Sequence, residues 1–430
     1  MKTVERQCDL MIIGSGMAGM AAAIFASGRG LSTALIGNTG NMRFFSGLID
    51  LMSVSPIAPA TVWSNPWKGI ERLAADQAHP HPYARLRQDM IHAAMDVFLA
   101  TLSESGLVYH TAADRNQTVI TSMGTGKTTY GVPETMTAGV RAFQEKAPCL
   151  IVGFPELKGF SSRQIRETIG RQWPALKAVD LPFPGNFHEL FPEQMAAELE
   201  GAQCRNRLAE CLMPYCEGVQ SIGLPAVLGI RNSREVHHDL ETRTGLPVFE
   251  IPTLPPSIPG LRLKNALEQE LVRRGVQVFF QQRAERVDSP DAGVFLISIG
   301  EGTDQIQVRA KGVLLATGRF FSRGLVAERT GIREPLFGLP VSQPGSRSCW
   351  HNPDFFSESG HAINLAGLEI DDGFRPLDQA GQPVNSCLFA AGSILANQDW
   401  MRMKCGSGLS IATAYAAVTE FVKQVKNRYV

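Results

Sequence analysis

Residues 10–19 read LMIIGSGMAG, and this stretch decides the fold. Leu10 to Ile13 is predicted to be a buried strand, the glycines permit a tight turn, and Met17 to Arg29 is predicted to be a helix. Amides at the start of such a helix attract an anion, and a glycine without a side chain lets a diphosphate approach closely. The residues predicted to hold that group are Gly14, Ser15, Gly16, Met17, Ala18 and Gly19.

The turn opens a larger unit, because residues 31–36 form a second predicted strand at the distance expected of a βαβ unit. A glycine turn before a helix is also common as a purely structural element, so the turn alone is weak evidence. Two further glycine-centred segments, at residues 313–319 and 388–414, strengthen the prediction of nucleotide binding.

Composition excludes several classes of function. The chain has 430 residues, 44% of them apolar, which suggests two or three domains with sizeable cores. Its 41 basic and 41 acidic residues cancel, so no basic field favours nucleic acid. We find no charge-free apolar run of about 18 residues, the minimum for a membrane span. The first predicted strand begins within ten residues of the N-terminus, which predicts a cytosolic chain without a signal peptide.

Metal binding is not predicted. The eight cysteines show no CxxC spacing, and the run Cys204, Cys211 and Cys216 lacks a fourth ligand at matching spacing. We therefore expect free thiols and no iron–sulfur cluster held by this chain. The sequence His79-Pro80-His81-Pro82 is interpreted as a plain loop, because further metal ligands are missing.

The order of elements predicts an α/β fold with an insertion. Helices are predicted over residues 84–105, 162–172 and 193–212, and a proline-rich passage at 251–260 returns the chain to its first domain. A helix, a strand, a hairpin and the buried strand 312–318 then rejoin the first sheet, and a last helix covers 411–424. This pattern predicts a doubly wound, Rossmann-like nucleotide-binding domain with an inserted α+β substrate domain. The predicted bounds are 1–55, 255–320 and 386–430 for the first domain, and 56–254 and 321–385 for the substrate or cap domain.

Two later segments favour a flavin as the nucleotide. Ala316, Thr317 and Gly318 end a predicted strand with small residues, where backbone can pack against a flat ring. Near the C-terminus, Gly392 and Ser393 end a strand, and Gly406, Ser407, Gly408 and Leu409 open a helix. A helix N-terminus stabilises negative charge on a reduced ring by about 0.3–1 kcal/mol. A plain helix-capping turn is the alternative.

These segments resemble the flavoprotein superfamily that includes fumarate reductase. More closely, residues 41–51, with the sequence NMRFFSGLIDL, and residues 392–409 resemble the family of anaerobic glycerol-3-phosphate dehydrogenase B subunits, as does the overall length. The resemblance covers nearly the whole chain.

The resemblance implies a place in a larger assembly. Such an assembly pairs a catalytic A subunit with a B subunit of this kind and adds a membrane-bound iron–sulfur C subunit. It oxidises sn-glycerol 3-phosphate to dihydroxyacetone phosphate and passes electrons to a quinone in anaerobic respiration. The implied location is peripheral, at the cytoplasmic face of the inner membrane, through the partner subunits.

The resemblance implies FMN, and two departures from related flavoproteins agree. In FAD binders of this fold, an acidic residue at the end of the second strand grips the adenosine ribose. Here Asn38 stands in that region, and a neutral hydrogen bond is about half as strong as a charge-assisted one. Ser393 likewise stands where an acidic residue is frequent near the ribityl chain. FAD is the alternative, because the intact turn suits a diphosphate.

Candidate catalytic residues lie in three places. Abstracting a proton from an alcohol needs a base, and a phosphate substrate needs Arg or Lys. The candidates are His351 and His361 as the base, Arg323 beside Arg319 after the ATG segment, and Lys404 beside Arg402 before the last helix. Each also fits a structural role, as a surface cation or a histidine bonded within its loop. By the superfamily resemblance, Arg43, Ser46 and Gly47 would lie near the flavin ring.

Two other functions fit the same residues. One is a stand-alone enzyme of the fumarate reductase type, which reduces an activated double bond. The other is a scaffold subunit that has lost its flavin, an alternative kept open by the missing carboxylates near Asn38 and Ser393.

Overall fold

A computed structural model describes residues 4–75, 80–185, 189–291, 293–300 and 305–428. His79, of the HPHP sequence, lies outside the described residues. The chain packs into two compact units. The first contains residues 1–41, 50–101 and 267–430, and the second contains residues 42–49 and 102–266.

The strands and helices have the following bounds. The strands are β1 Val4–Ile13, β2 Thr33–Gly37, β3 Tyr109–Thr111, β4 Gln117–Ile120, β5 Gly126–Thr129, β6 Gly131–Pro133, β7 Cys149–Gly153, β8 Leu176–Asp180, β9 Ser221–Pro225, β10 Val248–Ile251, β11 Gln277–Phe280, β12 Ala284–Asp291, β13 Val294–Ile299, β14 Ile306–Leu315, β15 Val326–Ala327, β16 Ile332–Arg333 and β17 Leu388–Ala390. The helices are α1 Met17–Ser27, α2 Pro66–Ala74, α3 Gln88–Glu104, α4 Thr137–Glu145, α5 Ser162–Ile169, α6 Pro192–Leu199, α7 Ala202–Leu212, α8 Ser233–Thr244, α9 Ile258–Arg273, α10 Trp400–Met403 and α11 Gly406–Arg428.

The first unit is built on a seven-stranded sheet. Its strands run in the order β11-β2-β1-β14-β13-β12, and β17 also pairs with β14. β11, β2, β1, β14 and β17 are parallel neighbours, whereas β13 and β12 form an antiparallel meander. The chain leaves β1 toward β2 on one side and returns beside it as β14, so a topological switch point lies between β1 and β14. Ligands of open α/β sheets bind at such points, at the carboxyl ends of the strands.

β14 differs from its sequence prediction. The sequence predicts two strands, at residues 305–308 and 312–318, and Arg309 and Lys311 interrupt the apolar pattern between them. The structure has one strand of ten residues, in which these two side chains point to the exposed side while their neighbours are buried. Charged residues at alternate positions fit the period of a half-buried strand. The interruption therefore marks a change of burial along one strand.

Helix α1 is alanine-rich because it is buried almost all round. Every one of its residues except the last is buried, including Phe25. The Phe25 ring meets the Tyr415 ring of α11 edge-on at 5.1 Å, and the Arg29 guanidinium lies 4.4 Å above the same tyrosine. These contacts hold the N-terminal helix against the C-terminal helix.

The second unit contains a four-stranded sheet in the order β10-β9-β7-β8, with all pairs parallel. Two small antiparallel pairs, β3 with β6 and β4 with β5, accompany it. The sequence predicts an α+β insertion. The antiparallel pairs have that character, but the larger sheet is parallel because helices connect its strands, as in a βαβ unit.

A buried ion pair lies in the second unit. Glu250 of β10 is fully buried, and its carboxylate accepts hydrogen bonds from Arg262 at 2.6 and 2.8 Å. The same carboxylate accepts the Thr135 hydroxyl at 2.6 Å and the Leu228 amide at 2.8 Å. Arg262 also donates to the Gly229 carbonyl at 2.7 Å. Each charge is thus surrounded by partners.

Several predicted element bounds are corrected. The helix predicted over 193–212 is two helices, α6 and α7, because Gly201 forms the N-cap of the second. The last helix begins at Gly406 rather than 411 and continues to Arg428. The helix predicted over 84–105 is Gln88–Glu104, and the one over 162–172 ends at Ile169.

Residues 321–385 pack with the first unit, although the sequence analysis groups them with the substrate domain. Backbone bonds explain this grouping: the Ala390 amide of β17 donates to the Phe374 carbonyl, and Leu368 forms a parallel bridge with Leu395. Which residues bind a substrate stays a prediction.

Among the described residues, no helix combines the length and apolarity that crossing a membrane requires.

Candidate functional site

The glycine turn lies at the switch point of the first unit. Ile13 of β1 pairs with Leu315 of β14, and the Ala316 amide donates to the Ile13 carbonyl at 2.8 Å. Gly14 has a φ of 115°, and a β-carbon there would overlap the Ala316 carbonyl oxygen. A β-carbon on Gly19 would overlap the Gly14 carbonyl oxygen. Both glycines are therefore required for the turn to pack against β14.

Gly16 serves a different purpose. It is the N-cap of α1 in an extended conformation, and no atom lies within 4 Å of where its β-carbon would be. Next to it, the Ser15 hydroxyl is buried and has no hydrogen-bond partner among the described residues. The first turn of α1 carries no acidic side chain. Open space, an unsatisfied hydroxyl and a positive helix end together fit a phosphate group.

The C-terminal segment meets this turn. A β-carbon on Gly392 would lie 2.6 Å from the Ala18 β-carbon, and the Gly392 amide donates to the Thr413 hydroxyl at 2.9 Å. Gly392 has a φ of 79°, so glycine is favoured there on conformational grounds as well. The turn at 14–19 and the start of α11 are thus neighbours through Gly392.

The ATG segment joins the same region. A β-carbon on Gly318 would lie 3.4 Å from the Ser393 hydroxyl oxygen. The Thr317 hydroxyl is buried without a hydrogen-bond partner among the described residues. The structure therefore brings together the segments that the sequence analysis predicts to bind a flavin. Their contact with the flavin itself stays a prediction.

The first turn of α11 is tightly packed. The Gly408 amide donates to the Asp50 carbonyl at 2.8 Å, and a β-carbon on Gly408 would lie 2.9 Å from the Tyr83 hydroxyl. Ser407 and Leu409 are buried, and Gly406 lies against the Trp400 ring. Small residues are required here for packing as well as for any approach of a ligand.

Four further predicted cofactor residues come from the stretch of chain that follows β2. Asn38, just after β2 in the first unit, is exposed. Arg43, Ser46 and Gly47 belong to the second unit. There the Arg43 guanidinium lies 3.3 Å from a Glu193 carboxylate oxygen, and the Gly47 carbonyl accepts the Tyr109 hydroxyl at 2.7 Å. Arg43 thus has an ion-pair partner within its own unit.

The two candidate bases have different surroundings. The His361 Nδ1 accepts the Asn352 amide at 3.0 Å, and its Nε2 lies 3.1 Å from the Phe355 carbonyl oxygen. Both ring nitrogens of His361 are therefore engaged with backbone of its own loop. His351 is exposed, and its ring lies 5.4 Å from the His361 ring. Of the candidate cations, Arg323 and Lys404 are exposed, and both have left-handed backbone conformations.

Arg319 is a half-buried cation of the first unit. Its guanidinium donates to the backbone carbonyls of Ser393 at 2.6 Å, Leu395 at 3.0 Å and Gln398 at 2.9 Å, and also to that of Asn364. Burial lowers the pKa of Arg319 to about 10, although the negative charge of Asp399 acts in the opposite direction. Its position directly after the ATG segment was the one available signal in the sequence.

We expect Arg319→Lys to destabilise the first unit by at least about 2 kcal/mol. A lysine ammonium cannot bond four divergent carbonyls. The Gln398 amide still donates to the carbonyls of Ser393 and Leu395, but those of Asn364 and Gln398 would lose the Arg319 donor, and an unsatisfied acceptor costs about 1–3 kcal/mol. Thermal and urea unfolding measure the change. Arg347→Lys is the control, because Arg347 is exposed and donates to a single carbonyl, that of Glu328. If Arg319→Lys were as stable as wild type, the hydrogen bonds from Arg319 to the four carbonyls would not stabilise the first unit.

Comparison with known proteins shows which family the chain resembles. Residues 9–409 match the family described as FAD binding domain. A relative in Halobacterium salinarum, named as a probable B subunit of anaerobic glycerol-3-phosphate dehydrogenase, is 30% identical over 429 residues, which cover 96% of this chain and 97% of that protein. A relative in Pectobacterium atrosepticum, named as the B subunit of the same dehydrogenase, is 30% identical and covers 97% of this chain and 99% of that protein.

The chain belongs to the family of anaerobic glycerol-3-phosphate dehydrogenase B subunits. Within the wider FAD-binding family, it has the fold of a flavoprotein with mixed α/β sheets. The predictions of family and fold class are thus confirmed. Family membership makes it a subunit of a flavin-linked dehydrogenase, whereas the matched family name favours FAD rather than the predicted FMN.

Among solved structures, a 3-ketosteroid Δ1-dehydrogenase from Sterolibacterium denitrificans covers 97% of this chain, and all of that chain is matched. The identity is 12% and the TM-score is 0.46.

Proposed function

We propose that this chain is the flavin-carrying B subunit of a complex that oxidises sn-glycerol 3-phosphate to dihydroxyacetone phosphate. The observation that carries the proposal is the 30% identity across 96% of the chain to a protein named as this subunit. The convergence of residues 14–19, 316–318 and 392–393 at the switch point supports it, because a nucleotide cofactor would bind there.

The chain would hold its flavin by the phosphate end and by the ring. The Ser15 hydroxyl and the N-terminus of α1 would hold the phosphate, with Gly16 leaving space for it. The N-terminus of α11 and the half-buried Arg319 would give the ring site a positive potential. A bound flavin would supply the electron acceptor for the alcohol.

For the substrate, His351 is the better of the two proposed bases, because it is exposed whereas both nitrogens of His361 are engaged. Arg323 and Lys404 are proposed for the phosphate, since both are exposed. The A and C partners of the complex, the latter bound to the membrane and carrying iron–sulfur clusters, would pass the electrons to a quinone. This arrangement would place the chain peripherally at the cytoplasmic face of the inner membrane.

The nucleotide remains a choice between two flavins. FMN is proposed because Asn38 replaces a carboxylate at the end of β2, which removes a charge-assisted bond to an adenosine ribose. FAD is the second candidate, favoured by the name of the matched family and by the intact diphosphate turn. Heat release from the purified chain followed by mass spectrometry separates them. An FAD mass would replace the first proposal.

The test of the activity uses the chain with its partner subunits. We expect absorbance near 450 nm in the purified chain, and reduction of a quinone analogue by sn-glycerol 3-phosphate in the assembled complex. A colourless chain would support the flavin-free scaffold instead. The fumarate reductase alternative would be supported by a yellow chain whose reduced flavin is reoxidised by fumarate and whose flavin is not reduced by glycerol 3-phosphate.

A further inference from the structure

A buried histidine of the first unit has an unused donor. His81 is 2% exposed and precedes the short 3-10 helix Pro82–Arg85. Its Nδ1 accepts the Tyr83 amide at 3.1 Å, so this nitrogen carries no proton. In the neutral ring the proton is therefore on Nε2. That atom is buried and has no hydrogen-bond partner among the described residues.

The surroundings of His81 connect it to two of the predicted flavin segments. Its ring centroid lies 5.2 Å from that of Tyr83. The Tyr83 hydroxyl donates to the Leu51 carbonyl at 2.8 Å and lies against Gly408 in the first turn of α11. The Arg319 charge, one residue past the ATG segment, contributes to lowering the pKa of the His81 ring. Through Tyr83, His81 is connected to the first turn of α11.

The ring stays neutral in this position. Burial, with a further contribution from the positive charge of Arg319, lowers the pKa of His81 to about 3. With Nδ1 occupied by an amide, His81 offers no basic nitrogen to a substrate. What remains is a fixed N–H donor on Nε2. An unsatisfied buried donor is unfavourable in the free protein, and a bound ligand, water or ion, or a role in a reaction, accounts for such groups in native structures.

We propose that the His81 Nε2–H is a ligand-binding donor of the flavin site, which hydrogen-bonds an anionic or carbonyl oxygen of the bound flavin or of the substrate. This inference rests on the proposed function. It adds a binding residue that acts as a donor and not as a base. The shared chemistry of the two sources is an electron-rich oxygen, and the two ligands are tested separately.

A pair of variants separates the two nitrogens. His81→Asn places an amide oxygen near the position of Nδ1, so it keeps the acceptor for the Tyr83 amide and removes the Nε2 donor. His81→Gln places an amide nitrogen near the position of Nε2, so it keeps a donor and removes the acceptor. A purely structural histidine would respond most to His81→Gln, and a ligand donor would respond most to His81→Asn.

The experiment measures stability and binding in the full-length chain. Without ligand, we expect His81→Asn to be at least as stable as His81→Gln, because it keeps the acceptor for the Tyr83 amide. We expect it to weaken one ligand about tenfold to a hundredfold, the effect of losing one hydrogen bond to a charged or polarised oxygen. Titration with FMN and with FAD tests the flavin. Perturbation of the flavin absorbance by dihydroxyacetone phosphate tests the substrate side.

The outcomes are distinct. If His81→Asn binds flavin more weakly, the donor bonds the cofactor. If it binds flavin normally but dihydroxyacetone phosphate more weakly, the donor bonds the substrate. If His81→Asn binds both within twofold of wild type, or if His81→Gln loses as much affinity as His81→Asn, the role of His81 is overturned. A wild-type chain that binds no flavin overturns the proposed function itself, and this result is seen before any variant is made.

Discussion

Gly16→Asp is expected to give a folded protein that has lost its flavin. The β-carbon meets open space, and aspartate is a favoured N-cap residue, so the stability of α1 should be unchanged or slightly higher. The carboxylate would occupy the amides that receive a phosphate and repel its charge. Two like charges about 4 Å apart cost roughly 4 kcal/mol at a protein surface, which corresponds to a loss of affinity of more than a hundredfold.

The flavin content per chain measures the expected loss of cofactor, and the melting temperature measures the expected unchanged stability. Gly345→Asp is the matched control, because Gly345 is exposed and its β-carbon would also meet open space. It should keep both flavin and stability. If Gly16→Asp bound flavin within tenfold of wild type, the turn at residues 14–19 would not be the phosphate site.

Glu250→Gln is expected to destabilise the second unit by about 3–5 kcal/mol, because it leaves the buried Arg262 without an anion. Hydrogen exchange of the β9 and β10 amides measures the loss as faster local opening. Glu189→Gln is the control in the same unit. Its ion pair with Lys158 is solvent-exposed on both sides, so its loss should change stability by less than about 1 kcal/mol.

The pH dependence of stability is a second test of the Glu250–Arg262 ion pair. Burial acts to raise the pKa of Glu250, but the Arg262 charge and the hydrogen bonds to the carboxylate hold it below the usual 4.5. A carboxyl with a depressed pKa stabilises the fold above its unfolded pKa, and this contribution disappears as the pH falls. Wild type and Glu250→Gln should therefore differ by a constant amount from about pH 7 to 5 and converge below about 4.5. A difference that grew in acid would contradict the ion pair.

The nucleotide-binding core was predictable because its signals are local in sequence. The apolar strand, the glycines and the helix of residues 10–27 follow one another, so spacing alone identifies them. The sequence predicts the start of α11 at residue 411, five residues after its observed start at Gly406, because Gly406 and Gly408 are poor helix formers. Packing against Leu51 and Tyr83, which only small residues allow, overrides that propensity.

Other parts of the site depend on partners that are distant in the chain. The carbonyls bound by Arg319 lie 45 to 79 residues further along the chain. No local sequence pattern therefore predicts these hydrogen bonds. The sequence predicts a plain loop at His81 because its sequence neighbours are prolines, and no local pattern indicates that the side chain is buried. The parallel sheet of the second unit was missed because its short strands are separated by long helical segments.

The pairing of β1 has a consequence for biosynthesis. β1 takes its full-length partner, β14, from residues 306–315, which are synthesised much later. At about 5–20 residues per second, translation of the intervening chain takes roughly 15–60 s. During that interval one edge of β1 has no native neighbour, and unpaired strand edges invite aggregation. A nascent or truncated chain that ends before β14 would therefore need protection by chaperones.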